Sequence, residues 1–151
     1  MIKLIAAVDS NWGISKNGII PWHMPEDLRF FREKTVGGVV VMGRITFFSI
    51  EKRPLNDRIN CLVSTTLTSI DGARVFKSFE NIVDEYKDFW IIGGAQLYNY
   101  ALRNKFVDYA LITCIHKDYN TDKFLCKRYL DKFSTRSLHY DKKYSLIEFF
   151  K

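Results

Sequence analysis

Two short apolar runs, each handed straight to glycine and then to a helical stretch, restrict the fold more than any other feature of this chain. Val39-Val40-Val41-Met42 leads into Gly43-Arg44, and Phe89-Trp90-Ile91-Ile92 leads into Gly93-Gly94-Ala95-Gln96-Leu97-Tyr98. Apolar runs without alternation suit strands covered on both faces, as in a parallel sheet with helices on either side. Parallel neighbours need crossovers, so the repeated device implies βα units. A glycine at such a junction also brings backbone N–H groups to a helix start, where anions are favoured, and Arg44 adds a planar cationic fork. A tight turn with an exposed arginine accounts for the same residues. Neither turn carries G-x-G-x-x-G, so an ordinary Rossmann unit is not indicated, yet two such turns offer places for two separated phosphates of a dinucleotide.

The remaining pattern fills out the same architecture. Residues 2–8 read as a buried first strand, 58–63 and 107–115 as further strands, and 73–76 as a short one. Residues 25–35, 46–50 and 79–86 read as helical. Residues 133–140 and 144–150, around Asp141-Lys142-Lys143, form an expected antiparallel hairpin at a sheet edge. Residues 9–18 carry two glycines and read as a long loop of the kind that serves as a lid. The expectation is one α/β domain over residues 1–151, with a mostly parallel sheet, flanking helices and a C-terminal hairpin. At 151 residues and 47% hydrophobic content the chain suits a single core.

Three cysteines, without C-x-x-C spacing, argue against a disulfide framework or a tetrahedral zinc site and fit a reducing compartment. Cys114 and His116 fall on one face of their strand, but two ligands do not make a metal site, and a core cysteine with a surface histidine accounts for them. No run reaches membrane-spanning length and the first residues lack a signal-peptide pattern, so a soluble cytoplasmic protein is expected. The charge balance, 23 basic against 17 acidic side chains, gives +6 and favours small polyanions. Residues 117–151 hold nine of the basic and five of the acidic side chains, dispersed as on a solvated face.

Asp27 is the candidate for chemistry. Pro25 suits the first turn of a helix, and counting in threes and fours makes Met24, Leu28 and Phe31 an apolar stripe expected to face the core. Asp27 shares that apolar face. A carboxylate there is either a helix-start acid facing water or a buried acid with a raised pKa, able to hold a proton near neutral pH.

The run Gly13-Ile14-Ser15-Lys16-Asn17-Gly18-Ile19-Ile20-Pro21-Trp22 with Pro25-x-Asp27, then Met42-Gly43-Arg44-x-Thr46-Phe47-x-Ser49-Ile50, Arg53-Pro54-Leu55 and Ile92-Gly93-Gly94, closely resembles dihydrofolate reductase, over nearly the whole chain. The resemblance implies a sheet of about eight strands and reduction of 7,8-dihydrofolate by NADPH, with hydride transfer to C6 and protonation of N5. It implies that Asp27, supported by Thr113 and with Trp22 nearby, forms the catalytic group. Ile5, Ala7, Leu28, Phe31, Ile50 and Ile92 would line the substrate, and Arg58 would clamp its terminal carboxylate in a bidentate pair. Ala7, Ile14, Gly43, Arg44, Thr46, Ser64, Thr65, Gly93, Gly94, Ala95, Gln96 and Leu97 would border NADPH. No metal is implied; antifolate inhibitors are expected ligands and a monomer the expected state.

Departures from the family pattern concentrate in loops. Ser15 replaces a frequent glycine in the lid, Asn56-Asp57 replaces a usual Pro-Gly, and one extra residue precedes Arg53-Pro54-Leu55. Lys123 and Leu125 replace a common threonine and proline in the segment expected to touch the lid. Two other classes of function share some of these features. A pyrimidine-reducing enzyme of the same fold would not require the Trp22 to Asp27 constellation. A basic nucleic-acid-binding domain would show salt-sensitive binding without nicotinamide oxidation.

Overall fold

A computed structural model describes every residue from Met1 to Lys151. Its elements in chain order are β1 (Ile2–Val8), β2 (Gly13–Ser15), α1 (Pro25–Thr35), β3 (Val39–Gly43), α2 (Arg44–Ser49), β4 (Ile59–Val63), β5 (Arg74–Phe76), α3 (Phe79–Glu85), β6 (Phe89–Gly93), α4 (Ala95–Arg103), β7 (Tyr109–Ile115), β8 (Lys123–Phe124), β9 (Ser134–Tyr140) and β10 (Tyr144–Phe150), with a 3₁₀ turn at Lys127–Leu130. Eight strands form one sheet in the order β5-β4-β3-β6-β1-β7-β10-β9. Pairings from β5 across to β7 are all parallel, and the last two, through β10 to β9, are antiparallel. The two apolar runs are neighbours at the centre, with Met42 beside Gly93.

The two-residue repeat of the strands sorts the core onto two faces. On one face Leu4, Ala6, Val8, Val41, Ile91, Ala110 and Ile112 pack with Phe79 and Ile82 of α3 and with Leu97, Tyr98, Ala101 and Leu102 of α4. On the other, Ile5, Val40, Met42, Leu62, Trp90 and Leu111 pack with Phe47 of α2, and Phe30 and Phe31 of α1 reach the same cluster. Burying a side chain such as Phe47, 1% exposed, contributes about 2–3 kcal/mol. Ser78 caps α3 by accepting from the Asn81 N–H at 3.2 Å.

α1 starts at Pro25, with Glu26 and Asp27 in its first turn and Arg32 and Lys34 in its last, an arrangement that complements the helix dipole. The apolar stripe expected on this helix needs correction. Met24 is buried and Phe31 half-buried, but Leu28 is 60% exposed. The helix seats on the sheet through Phe30, Phe31 and the fully buried Thr35; Leu28 shares the face of Phe31 and Thr35 but lies nearer the helix start, outside the cluster that Phe30 and Phe31 join. A count in threes and fours finds a helix face without fixing where along the helix that face is covered.

Two boundaries also shift. Residues 9–18 are not all loop, because Gly13–Ser15 pairs with Lys123–Phe124 as an antiparallel ribbon. The helix expected at 46–50 begins at Arg44, directly after β3.

Candidate active site

The carboxyl ends of the parallel strands carry the predicted site, as expected for an open α/β sheet. Thr113 follows Leu111 by two on β7, so it faces α1, and Ala7 lies beside it in register. Ile5 and Ala7 of β1, Ile92 of β6 and Thr113 thus share the face that α1 and α2 cover. The Thr113 hydroxyl donates to Asp27 Oδ1 at 2.7 Å, joining β7 to the first turn of α1. Burial pushes the Asp27 pKa up, the neighbouring Glu26 carboxylate adds to the rise, and the Thr113 hydrogen bond opposes it.

Asp27 stands at the boundary of two helix faces. At about 100° per residue, Leu28, Phe31 and Thr35 fall on one side of it and Glu26, Phe30 and Glu33 on the other. The second side borders a cavity of about 210 Å³, lined by Glu26, Asp27, Arg29, Phe30, Glu33, Thr113, Tyr144 and Leu146. Lys143, in the turn between β9 and β10, pairs with Glu26 at 3.0 Å and ties the hairpin to α1.

On the first side lies Arg58. Its Nε donates to the Asn56 carbonyl at 2.8 Å and its Nη1 to the Thr35 hydroxyl at 3.1 Å, while its guanidinium sits 5.8 Å from the Phe31 ring centre. These contacts hold the fork and leave Nη2 for an anion. Arg32 nearby is engaged by Asp57 at 3.1 Å.

The two glycine turns lie side by side. Gly43 and Gly94 precede α2 and α4, and neither helix start has a side-chain cap. A Cβ on Gly94 would stand 3.2 Å from Thr46 Oγ1, and one on Gly93, at φ +139°, would stand 3.3 Å from it. Glycine therefore lets the second turn close against α2, with the Gly93–Gly94 peptide in the cis form. Uncapped N–H groups, the Thr46 hydroxyl and the exposed Arg44 form a donor set suited to the phosphates of a dinucleotide. Ser64 and Thr65 directly follow the adjacent strand β4; Ser64 is buried, with its hydroxyl accepting from the Thr66 and Leu67 N–H groups, and Thr65 is exposed. Gln96 is exposed and Ala95 half-buried at the start of α4, whereas Leu97 packs its side chain into the core. Ile50, just past α2, is half-buried and packs beside Phe47.

The segment expected to serve as a lid is anchored to the rest of the fold. Ile14 packs against the core, and Trp22 meets the Tyr119 ring edge-on at 5.4 Å between centres. The substitutions at Lys123 and Leu125 leave the contact with the lid in place: Asp122 N–H donates to the Ser15 carbonyl at 2.9 Å and Leu125 N–H to the Trp12 carbonyl at 3.0 Å. Asn17 N–H donates to Asp122 Oδ2 at 3.0 Å. Cys114 is half-buried against the core, and His116 bonds Ser145 through Nε2.

Asp9, which sequence reasoning passed over, is fully buried at the root of this lid. Its Oδ1 accepts from the Asn11 and Gly13 N–H groups, and its Oδ2 from the Tyr119 N–H and the Thr121 hydroxyl. Burial pushes its pKa up, but the donors from Gly13, Tyr119, Thr121 and Asn11 together hold it below the usual carboxylate value. The available signal was Asp9-Ser10-Asn11, two residues short of Gly13, the composition of an Asx-type turn.

Comparison with known proteins gives a consistent set of relatives. The family model described as dihydrofolate reductase matches residues 1–147. A dihydrofolate reductase of Bacillus subtilis is 37% identical over 127 residues, 82% of this chain and 74% of the relative. One from Haemophilus influenzae is 39% identical over 125 residues, covering 81% and 76% of the two chains. A solved dihydrofolate reductase from Enterococcus faecalis, complexed with NADP(H) and RAB-propyl, superposes with a TM-score of 0.80 at 30% identity, over 99% of this chain and 94% of the other.

Proposed function

The chain belongs to the dihydrofolate reductase family and is an NADPH-dependent enzyme that reduces 7,8-dihydrofolate to 5,6,7,8-tetrahydrofolate, and from that premise we propose how its own residues divide the work. NADPH supplies the hydride that C6 receives, and N5 must gain a proton from solvent or a nearby acid. Asp27 is the acid of the pterin pocket. Its carboxyl accepts from the pterin's amino group and ring nitrogen, and because those atoms are not beside N5, the proton reaches N5 from solvent, at a site whose hold on a proton the raised Asp27 pKa strengthens. Thr113 fixes the carboxyl's orientation through the 2.7 Å hydrogen bond, the observation that carries this reading.

The other roles follow position. Ile5, Ala7, Ile92, Leu28, Phe31 and Ile50 provide apolar walls around the pterin and its aryl extension. Arg58, already held by Asn56 and Thr35, clamps the substrate's terminal carboxylate. The turns at Gly43–Arg44 and Gly93–Gly94, with Thr46, hold the cofactor's phosphates; Ala7, Ile14, Ser64, Thr65, Ala95, Gln96 and the Leu97 backbone border it. Trp22 and the lid before it exclude water over the reacting atoms.

The same pocket takes antifolate inhibitors, a reading supported by the relative's complex. A monomer in the cytoplasm completes it, and light scattering of the purified protein tests the monomer. No helix is long and apolar enough to cross a membrane. For the reaction, the test follows reduced-nicotinamide absorbance after mixing protein, NADPH and dihydrofolate. Loss that requires both substrate and enzyme is expected, and its absence would overturn the assignment.

A further inference from the structure

The two oxygens of Asp9 serve different segments. Oδ1 holds the lid loop through Asn11 N–H at 3.0 Å and Gly13 N–H at 2.9 Å. Oδ2 holds a segment more than a hundred residues later, through Tyr119 N–H at 3.1 Å and the Thr121 hydroxyl at 3.0 Å. The two segments then run on together as the β2–β8 ribbon. Gly13 fits against Thr121 so closely that a Cβ at Gly13 would stand 1.6 Å from its Oγ1. Tyr119, whose N–H Asp9 fixes, carries the ring against which Trp22 packs.

We propose that Asp9 is a positioning residue for dihydrofolate reduction, a two-handed carboxylate that locks the lid to the 119–124 segment and through Tyr119 sets the place of Trp22. The proposal rests on the assigned reaction and adds a residue to it. A buried carboxylate is acceptor-only, and here all four contacts are donors, so the demand for charge is built into both loops. Asparagine has nearly the same size but offers one oxygen and one NH₂ group. Whichever way it turns, the donors of one loop meet another donor.

Asp9→Asn, Thr121→Val and a control, Ser78→Ala, form the test. Ser78 caps α3 through a hydrogen bond to Asn81 that involves neither segment, and its loss lowers thermal stability. In Asp9→Asn, amide exchange is expected to speed up together in residues 11–15 and 119–125. Single-turnover hydride transfer with saturating NADPH and dihydrofolate should slow by about tenfold, with a smaller change in the KM for dihydrofolate. Thr121→Val should shift both readouts in the same direction by less, and carries the test alone should Asp9→Asn not fold. Ser78→Ala should lower the melting temperature and leave the hydride step unchanged. Faster exchange confined to residues 11–13, or hydride transfer within twofold of wild type despite joint loosening, overturns the proposal. The exchange arm needs no turnover, so a protein that failed to reduce dihydrofolate would still report whether the joint exists.

Discussion

Asp9 and Asp27 are carboxylates within one fold whose pKa values move in opposite directions, and the difference is one of donors. Asp27 has a single hydroxyl donor against burial and a neighbouring glutamate, so it is raised; Asp9 has four donors and is lowered. Stability linked to Asp9 is therefore present above the ordinary carboxylate pKa and lost as pH falls through the folded value. For Asp27 the native state holds its proton longer, so stability is lost as pH climbs from the ordinary value through the raised one. Asp27→Asn should remove that loss, and chemical denaturation between pH 4 and 7 should show a flatter dependence of stability on pH for the variant. In single-turnover hydride transfer the same variant should be far slower at neutral pH and recover in part at acidic pH, where substrate arrives protonated. Near-wild-type rates at pH 7 would remove Asp27 from the chemistry. Arg58→Lys keeps a charge but loses the fork held by Asn56 and Thr35, so a binding titration should show weaker dihydrofolate binding, by about 1.5–3 kcal/mol, and little change for NADPH.

At the scale of elements, the turns after β3 and β6 work because the two strands are neighbours. Arg44 opens α2 and is exposed beside the end of β4, where on our proposal it meets the extra ribose phosphate that distinguishes NADPH from NADH. Arg44→Ala should erode the preference for NADPH over NADH by about 1.5–3 kcal/mol, read as the ratio of the two dissociation constants. Equal losses for both cofactors would make Arg44 a shaper of the turn. The apolar runs and glycines made these elements legible, since buried parallel strands and helix starts leave local composition. The Asp27–Thr113 pair was reachable through a resemblance and then through strand alternation from Leu111. Leu28's exposure was not, because a helix face counted in threes and fours does not say where along the helix its cover ends. Nor was the Asp9 joint, whose second half lies beyond residue 117 and leaves no trace near Asp9. The β2–β8 ribbon was hidden for the same reason: strands of two or three residues carry no periodicity, and their pairing is set by the loops around them.

Over the whole molecule, charge is distributed unevenly with respect to the site. The net charge is +6, and residues 117–151 contribute a surplus of four from nine basic and five acidic side chains. Much of that segment builds β9 and β10 at one end of the sheet, while the glycine turns sit at β3 and β6. Five strand spacings separate β3 from β9, about 24 Å at roughly 4.8 Å each. Several tail cations also have partners, Arg136 with Glu148, Lys143 with Glu26 and Lys151 with Asp108, which leaves a dispersed rather than a continuous basic surface. Fields from the tail are screened over about 8 Å at physiological ionic strength but reach about 30 Å at 0.01 M salt. Exposed Lys132 and Lys142, which have no acidic partner, therefore act on an incoming polyanion only at low salt. Replacing both with alanine should slow NADPH association at about 0.01 M salt, by roughly twofold, and leave it unchanged at about 0.15 M. Arg44→Ala should instead weaken binding at both ionic strengths, chiefly through faster dissociation, because its contact is local. Stopped-flow association and dissociation rates for the three proteins at the two salt concentrations separate these effects. An equal slowing by the double variant at both ionic strengths would show that the tail touches the cofactor directly rather than steering it.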